Sequence, residues 1–487
     1  MAKKLVRLFI LLFFLTLNFS ISSVKTAFVE RVLFFLLFIS LYLILRHIDL
    51  KRIFILLTAV ISPIIFLYGI IQKFILFPIY LDSMDVGLST YSIAARARIE
   101  SGRIFSLFSL PTLYTFICAV LLLAIFHYMI NSKNISIRAF WIILFIVGIF
   151  NMVLTQSFAG ILYLVVGFPV YLYFSGRSNL KFLVPLLMIL SMFLFIITGL
   201  RFSEARKLDP VKLRVSNWNQ AVRMTGSSPV LGVGLGNYEH NISKYILPGE
   251  AHSIYSHNFF LQLTAEGGVV TLLMILSLLI IYRKKIIPEI NKDNAIYISI
   301  LIIIILYNLI DIGFYFFSAS LIFTLIISQI YRVNTPAPKI AVYSAILLIL
   351  PQLLIFISAG QRKSGSFHLN FKRLEKAEVY FKRSLKFNKF NYKALQGLAE
   401  TSYSTGNISR ADEYLIRILD NNDFNPYAHY LRSRILYGKK KYLTSLYHAG
   451  KAESLNNKNP EYRNWYNYIK SSFTDSIKKS ELSGGKE

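Results

Sequence analysis

The sequence predicts an all-α, polytopic membrane protein: a bundle of about eleven transmembrane helices, one large extramembrane loop, and a small C-terminal helical solenoid. Three observations predict it. Hydrophobic residues make up 55% of the chain and charged residues only 16%. Apolar runs of about 18 residues or more, long enough as helix to cross about 30 Å of hydrocarbon, recur through residues 1–358. After residue 358 they give way to a polar, tyrosine-rich segment with an internal repeat.

The first run, at about 5–22, follows Lys3 and Lys4. No small-residue cleavage site succeeds it and a second run starts almost at once, so it reads as a retained helix and not a signal peptide. Further runs lie at about 28–45, 53–71, 105–130, 139–156, 161–174, 182–200, 258–282, 295–312, 315–331 and 340–358. Basic clusters punctuate them alternately, at Arg46 to Arg52, Lys133 and Arg138, Arg177 and Lys181, Arg283 to Lys285, and Arg332 with Lys339. The positive-inside rule then puts the N-terminus in the cytoplasm and, with an odd number of spans, everything after residue 358 outside it. The same distribution accounts for the net charge of +28: the basic residues orient helices and meet anionic lipid, and nucleic acid is not expected as a partner. Cys118 is the only cysteine, which excludes a disulfide framework and a multi-cysteine metal site. No cofactor is expected.

Two outer segments are too long to be turns. Residues 72–104 carry Arg96, Arg98, Glu100 and Arg103, and residues 201–256 carry Arg201, Arg206, Lys207, Lys212, Arg214, Arg223 and Lys244. Long loops escape the charge rule, so a solvated surface is one reading. The other is a cleft of guanidiniums, which suits phosphate or diphosphate because Arg makes bidentate bonds to such oxygens. Within the second loop Arg214 and Trp218 share a helical face. Gly232, Gly234 and Gly236 follow at alternate positions and permit a tight turn or close approach to a ligand. Then comes His257-Asn258 at the mouth of the next apolar run, with Gln262 one turn inside. His240, His252 and His257 match no helical zinc spacing, so no metal is expected.

Arg214 and Trp218, the glycine-rich turn through Gly236, and His257-Asn258 followed by Gly268 and Thr271 together resemble the bacterial O-antigen ligase and O-antigen polymerase superfamily. The resemblance covers roughly residues 1–335. It implies a polytopic glycosyltransferase of the inner membrane that moves a glycan from undecaprenyl pyrophosphate, at the periplasmic face, to an acceptor hydroxyl: lipid A-core for a ligase, a growing glycan for a polymerase. It assigns the essential histidine to His257 and a diphosphate-holding arginine to Arg214, with Asn258, Gln262, Trp218 and Gly236 around the substrates. Many members carry Thr-x-Ser-Arg at the outer end of a central helix. Here Phe158 follows Thr155, Gln156 and Ser157, so another arginine is expected in that role: Arg103 first, with Arg201, Arg206 and Arg96 behind it.

The chemistry such a site needs is general. A lipid diphosphate leaving an anomeric carbon gains charge that fixed cations stabilise, and a sugar hydroxyl attacks better with a base titrating near neutrality, as histidine does. A histidine that only satisfies groups at a helix end is the competing reading. So are a transporter for a lipid-linked sugar, for which Asp311 near a helix end is the one intramembrane acid in view, and a non-catalytic scaffold.

Residues 358–367 hold two glycines and three serines and read as a linker. Residues 359–470 form the second domain. Ala377 and Ala411 are separated by the same interval as Ala394 and Ala428, Tyr380 and Tyr414, and Arg383 and Arg417, and the pattern resembles tetratricopeptide repeats, with a looser third unit from Lys439. Such a solenoid either binds a protein partner or packs on the catalytic loop as a spacer. The tail, 471–487, reads as disordered.

Overall fold

The computed structural model describes residues 2–83, 96, 98–176, 185, 189, 192, 196, 210–247, 250, 253–286, 292–456 and 459–484. Hydrocarbon offers no partner for backbone N–H and C=O groups, so the apolar runs close their hydrogen bonds within themselves as helices. In chain order these are α1 (Ala2–Ile21), α2 (Lys25–Leu45), α3 (Lys51–Ile71), α4 (Phe77–Ser83), α5 (Pro111–Asn131), α6 (Ile135–Leu154) and α7 (Phe158–Phe174). Next come α8 (Pro210–Ser227), α9 (Tyr238–Asn241), α10 (Phe259–Ile286), α11 (Ala295–Ile310), α12 (Phe317–Ile330) and α13 (Lys339–Asn370). Six stretches are long and apolar enough to cross a membrane, namely Lys25–Leu45, Lys51–Asp82, Pro111–Asn131, Ile135–Leu154, Phe259–Ser277 and Lys339–Asn370. Four shorter apolar helices accompany them, at Leu11–Ile21, Phe158–Phe174, Ala295–Ile310 and Phe317–Ile330. The chain is a polytopic helical membrane protein. The expected span at 182–200 lies outside the described residues apart from a few isolated positions.

Helix α5 is the axis of the bundle. Leu113 to Ala124 are buried almost without interruption, enclosed by α3, α6, α7 and α11. Phe116 stacks on Tyr307 of α11 with ring centroids 4.4 Å apart. Small residues let the neighbours close in: a Cβ on Gly148 would lie 2.7 Å from Leu122, and one on Gly167 would lie 2.6 Å from Ile303. Lipid gives no hydrophobic drive between helices, so this contact density is what holds them together.

Some of the segments that the charge rule assigns to one side meet. Arg46 O accepts from Val333 N at 2.8 Å, Arg332 pairs with Asp49 at 2.6 Å, and the Lys292 side chain lies over Gly176. At the opposite end of α2 the α1–α2 turn binds the glycine-rich loop, Val24 N donating to Asn237 Oδ1 at 2.7 Å. Helix α3 is longer than expected. It passes through a π-helical turn, Gln72–Leu76, into α4, so residues 72–83, expected to open the first loop, are helix.

Helix α13 corrects the expected linker. It runs unbroken for 32 residues, about 48 Å at 1.5 Å per residue, so residues 358–367 are helix. The two glycines fit because a Cβ at Gly365 would meet the Phe381 ring at 2.7 Å, whereas Gly360 faces open space. Beyond it, α14 (Leu374–Phe387), α15 (Tyr392–Ser404), α16 (Ile408–Asn421), α17 (Pro426–Gly438), α18 (Tyr442–Leu455) and α19 (Pro460–Gly484) pack each against the next. Asn391, Asn407 and Asn425 cap α15, α16 and α17 by accepting from Ala394, Arg410 and Ala428 N–H groups, as Asn does when it satisfies a first-turn amide. Ala377, Ala394, Ala411 and Ala428 are fully buried where the helices cross. Helix α19 continues to Gly484, past Ser471, where composition had suggested a disordered tail.

Candidate functional site

Two elements present the site: the N-terminal mouth of α10 and the break between α11 and α12. Asn258 caps α10, its Oδ1 accepting from Leu261 N at 3.0 Å while its Nδ2 reaches Leu309 O at 3.0 Å. Phe259 N donates to Asp311 O at 3.0 Å. The start of α10 is thereby tied to the end of α11, and the side chain just before the cap meets the one just after α11. His257 Nδ1 lies 3.2 Å from Asp311 Oδ1. Asp311 is buried, and His257 keeps 27% of its side chain exposed.

His257 adopts φ of 55°, a left-handed conformation that non-glycine residues leave unless something holds them there. Three contacts hold it. Trp218 Nε1 donates to His257 O at 3.3 Å, Asp311 takes the ring, and Ser256 on one side and Asn258 on the other are locked to each other and to Gln262. Gln262 Oε1 accepts from Ser256 N at 3.1 Å and Ser256 Oγ donates to Asn258 O at 2.7 Å. With Nδ1 donating to Asp311, Nε2 is left as the proton acceptor, the arrangement a general base requires.

Residues of the outer loops surround this pair. Tyr255 packs its ring 6.4 Å from that of His257. Burial raises the Tyr255 pKa, and the nearby charges of Lys393, Glu239, Arg31 and Asp311 also act on it. Arg98 donates to Ser109 O at 3.1 Å. Arg31 of α2 stacks 3.9 Å over the Tyr315 ring, whose hydroxyl donates to Glu266 at 2.6 Å. Arg214 lies on α8 and its charge acts on the buried Tyr163, as the charge of Arg31 does on Tyr255.

The structure brings together His257, Asn258, Trp218 and, through Ser256, Gln262. Arg103 goes elsewhere, to the turn after α6, where its Nε donates to Thr155 O at 3.0 Å; this is the turn that ends at Phe158. Gly236 has a packing role instead of a ligand-facing one. Its N–H is taken by Glu266 at 2.7 Å, and a Cβ there would collide with Ala27 O at 2.5 Å. Arg201, Arg206 and His252 lie outside the described residues. Sequence reasoning set Asp311 aside as a transporter residue and passed over Arg31 and Glu266; the available signal was a charge within or beside an apolar run, which is expensive unless it has a task.

Glu250 is drawn into the same scaffold: burial opposes its ionisation, but Arg223, bonded to it, holds the carboxyl below the usual range. Among the described residues no group of three or more His, Cys, Asp or Glu side chains is placed to hold a metal.

Residues 143–276 match the family described as O-Antigen ligase. That stretch runs from α6 to α10 and contains Arg214, Trp218, the glycine-rich turn and His257. The match supports a membrane enzyme of the ligase and polymerase type, acting on lipid-linked glycan and a glycan acceptor in general. No curated protein matches the chain.

Proposed function

We propose that the protein is a ligase: it transfers a glycan from undecaprenyl pyrophosphate to a hydroxyl of lipid A-core at the periplasmic face of the inner membrane. The observation that carries this reading is the His257–Asp311 pair, in which His257 is held in a left-handed turn at a helix mouth and lies inside the stretch that matches the ligase family, with Asp311 beyond it. The acceptor O–H attacks the anomeric carbon, the bond from that carbon to the diphosphate oxygen breaks, and the proton passes to His257 Nε2. Asp311 stabilises the imidazolium that forms. Arg214, with Arg98 and Arg31 across the cleft, neutralises the departing lipid diphosphate, and Arg103 at the Thr155 turn stands in for the arginine that Phe158 replaces.

Helices α14–α19 lie at the same end of the bundle as the site, in line with a repeat module outside the cytoplasm. They dock on the loop directly. Lys393 pairs with Glu239 at 2.6 Å, Tyr392 OH also donates to Glu239, and Asn422 meets His240 at 3.1 Å. This favours the reading as a tetratricopeptide-like spacer on the catalytic loop over one as a module awaiting a protein partner.

The test is complementation of a deletion strain with wild type, His257→Ala and Arg214→Ala at matched membrane levels, reading surface polysaccharide on gels. A ligase restores long glycan on lipid A-core, and both variants accumulate lipid-linked polymer. Glycan attached as single units in the variants would make it a polymerase. Wild-type behaviour of His257→Ala would remove the catalytic assignment and leave the transporter and scaffold readings.

A further inference from the structure

The second helices of successive pairs in the C-terminal module carry aromatic residues that form a row at the edge of the core, against which Tyr403 packs. Tyr430, Arg434 and Tyr437 lie on one face of α17, one turn apart, with Tyr403 of α15 on one side and Trp465 and Tyr468 of α19 on the other. Arg434 is the centre. Its guanidinium is 5.6 Å from the Tyr403 ring, 5.7 Å from Tyr430 and 5.7 Å from Trp465, so one cation is shared by rings from three helices. Tyr437 continues the row, 5.4 Å from Trp465 and 5.7 Å from Tyr468, and Trp465 stacks on Tyr468 at an interplanar angle of 24°.

The rings are fixed. Trp465 Nε1 donates to Ser433 Oγ at 3.0 Å, and the Tyr437 and Tyr468 hydroxyls meet at 3.2 Å. Arg434 is exposed, and Tyr468 leaves 51% of its surface to solvent. The module is anchored to the site loop by other residues, Tyr392, Lys393 and Asn422, so this face stays uncovered.

We propose that this face is a carbohydrate-binding platform that holds the glycan chain carried by the lipid donor; the ligand rests on the glycan-transfer reading above. Its chemistry is what selects a saccharide. Pyranose rings present a flat C–H surface that lies against an aromatic face, and a rim of hydroxyls that needs donors and acceptors. The row supplies both, from Tyr and Trp faces and from the Arg and Tyr polar tips at their edges. An aliphatic patch would offer the first without the second. Rigid, pre-stacked rings also bind without losing side-chain freedom. Docking on the loop keeps the platform at a fixed bearing from His257, so a chain whose reducing end lies in the cleft is gripped farther along.

The experiment uses the full-length protein in nanodiscs and, as probe, the polysaccharide released by mild acid from cells that make this protein. Trp465→Ala and Tyr468→Ala are expected to weaken binding about tenfold each, the loss of one aromatic contact. Trp465→Phe, which keeps a ring, stays within about threefold. Tyr468 is exposed, so its variant folds even where Trp465→Ala does not. No binding by wild type, or undiminished binding by both alanine variants, overturns the platform. So does a result in which Tyr468→Ala loses a co-purifying protein yet keeps the polysaccharide. Should complementation refute glycan transfer while these binding losses appear, the platform stands and the transfer reading falls alone.

Discussion

Asp311→Asn separates the proposed role of the carboxylate from its place in the fold. Asparagine keeps the volume and the acceptor that receives Ile312 N at 2.9 Å, so the α11–α12 break survives, but the negative charge beside His257 is gone. At 3.2 Å, opposite unit charges attract by about 5 kcal/mol at an effective dielectric of about 20. Water reaches the exposed part of His257, which brings the recoverable difference to roughly 2–3 kcal/mol. That interaction exists only when the imidazole has taken the acceptor proton, so it belongs to the transition state and not to substrate binding. The expected loss is roughly 30- to 160-fold in kcat with KM changed little. The assay is glycan transfer by enzyme reconstituted in liposomes, from extracted lipid-linked glycan to core-terminated lipopolysaccharide, at equal reconstituted protein. A kcat within about threefold of wild type, or a loss confined to KM, would refute the dyad.

Three further outcomes follow from the geometry. Gly268 breaks α10 with φ of 67°, and a Cβ there would sit 2.0 Å from Val230 O, so Gly268→Ala should cost about 2–4 kcal/mol and lower the melting temperature sharply; Gly226→Ala, on α8 with nothing within 4 Å, should not. Glu239→Lys should release the C-terminal module from the loop, seen as a new protease-sensitive site or faster hydrogen exchange, and the swap with Lys393→Glu should restore docking. Burial resists ionisation at both positions, yet each partner holds the other charged, Glu239 below its usual range and Lys393 above. The Glu239 contribution is thus complete above the ordinary carboxylate pKa and lost as pH falls through its depressed value. The Lys393 contribution is complete below the ordinary lysine pKa and lost as pH rises through its elevated one, so docking should be flat across neutral pH. Finally, burial and then the neighbouring His429 push His448 down to about 4, below the unfolded value of about 6.5. The unfolded chain binds the extra proton between those values, so the module should lose on the order of 2 kcal/mol as pH falls from 6.5 toward 4, and His448→Gln should flatten that slope in thermal melts.

The apolar helices were legible because length and hydropathy answer to one physical demand, the satisfaction of backbone groups in lipid. What periodicity hid were departures set by single contacts: Gly365 under Phe381 makes a linker into helix, and a π-turn carries α3 onward to Ser83. For the candidate site, the local sequence singled out His257, Asn258 and Trp218, and the structure sets them beside one another through short segments. Asp311 and Arg31 were not legible as partners, because their neighbours come from helices far apart in the chain. Gly236 misled for the opposite reason: glycine permits both ligand approach and tight packing, and only the position of Ala27 decides between them.

Helix α13 has a consequence for how length variation in this chain is tolerated. It starts among the basic segments at one end of the bundle and ends against α14, with Ser344 bonded to Ser40 near its start and Ser358 to Ser384 farther along. It therefore works as a shaft. One residue inserted between Ser358 and Gly365 would turn the whole module by about 100° and lift it by about 1.5 Å, swinging Lys393 away from Glu239. Inserting a whole turn would restore the bearing but not the height, so the spacing between membrane and module is fixed to the residue.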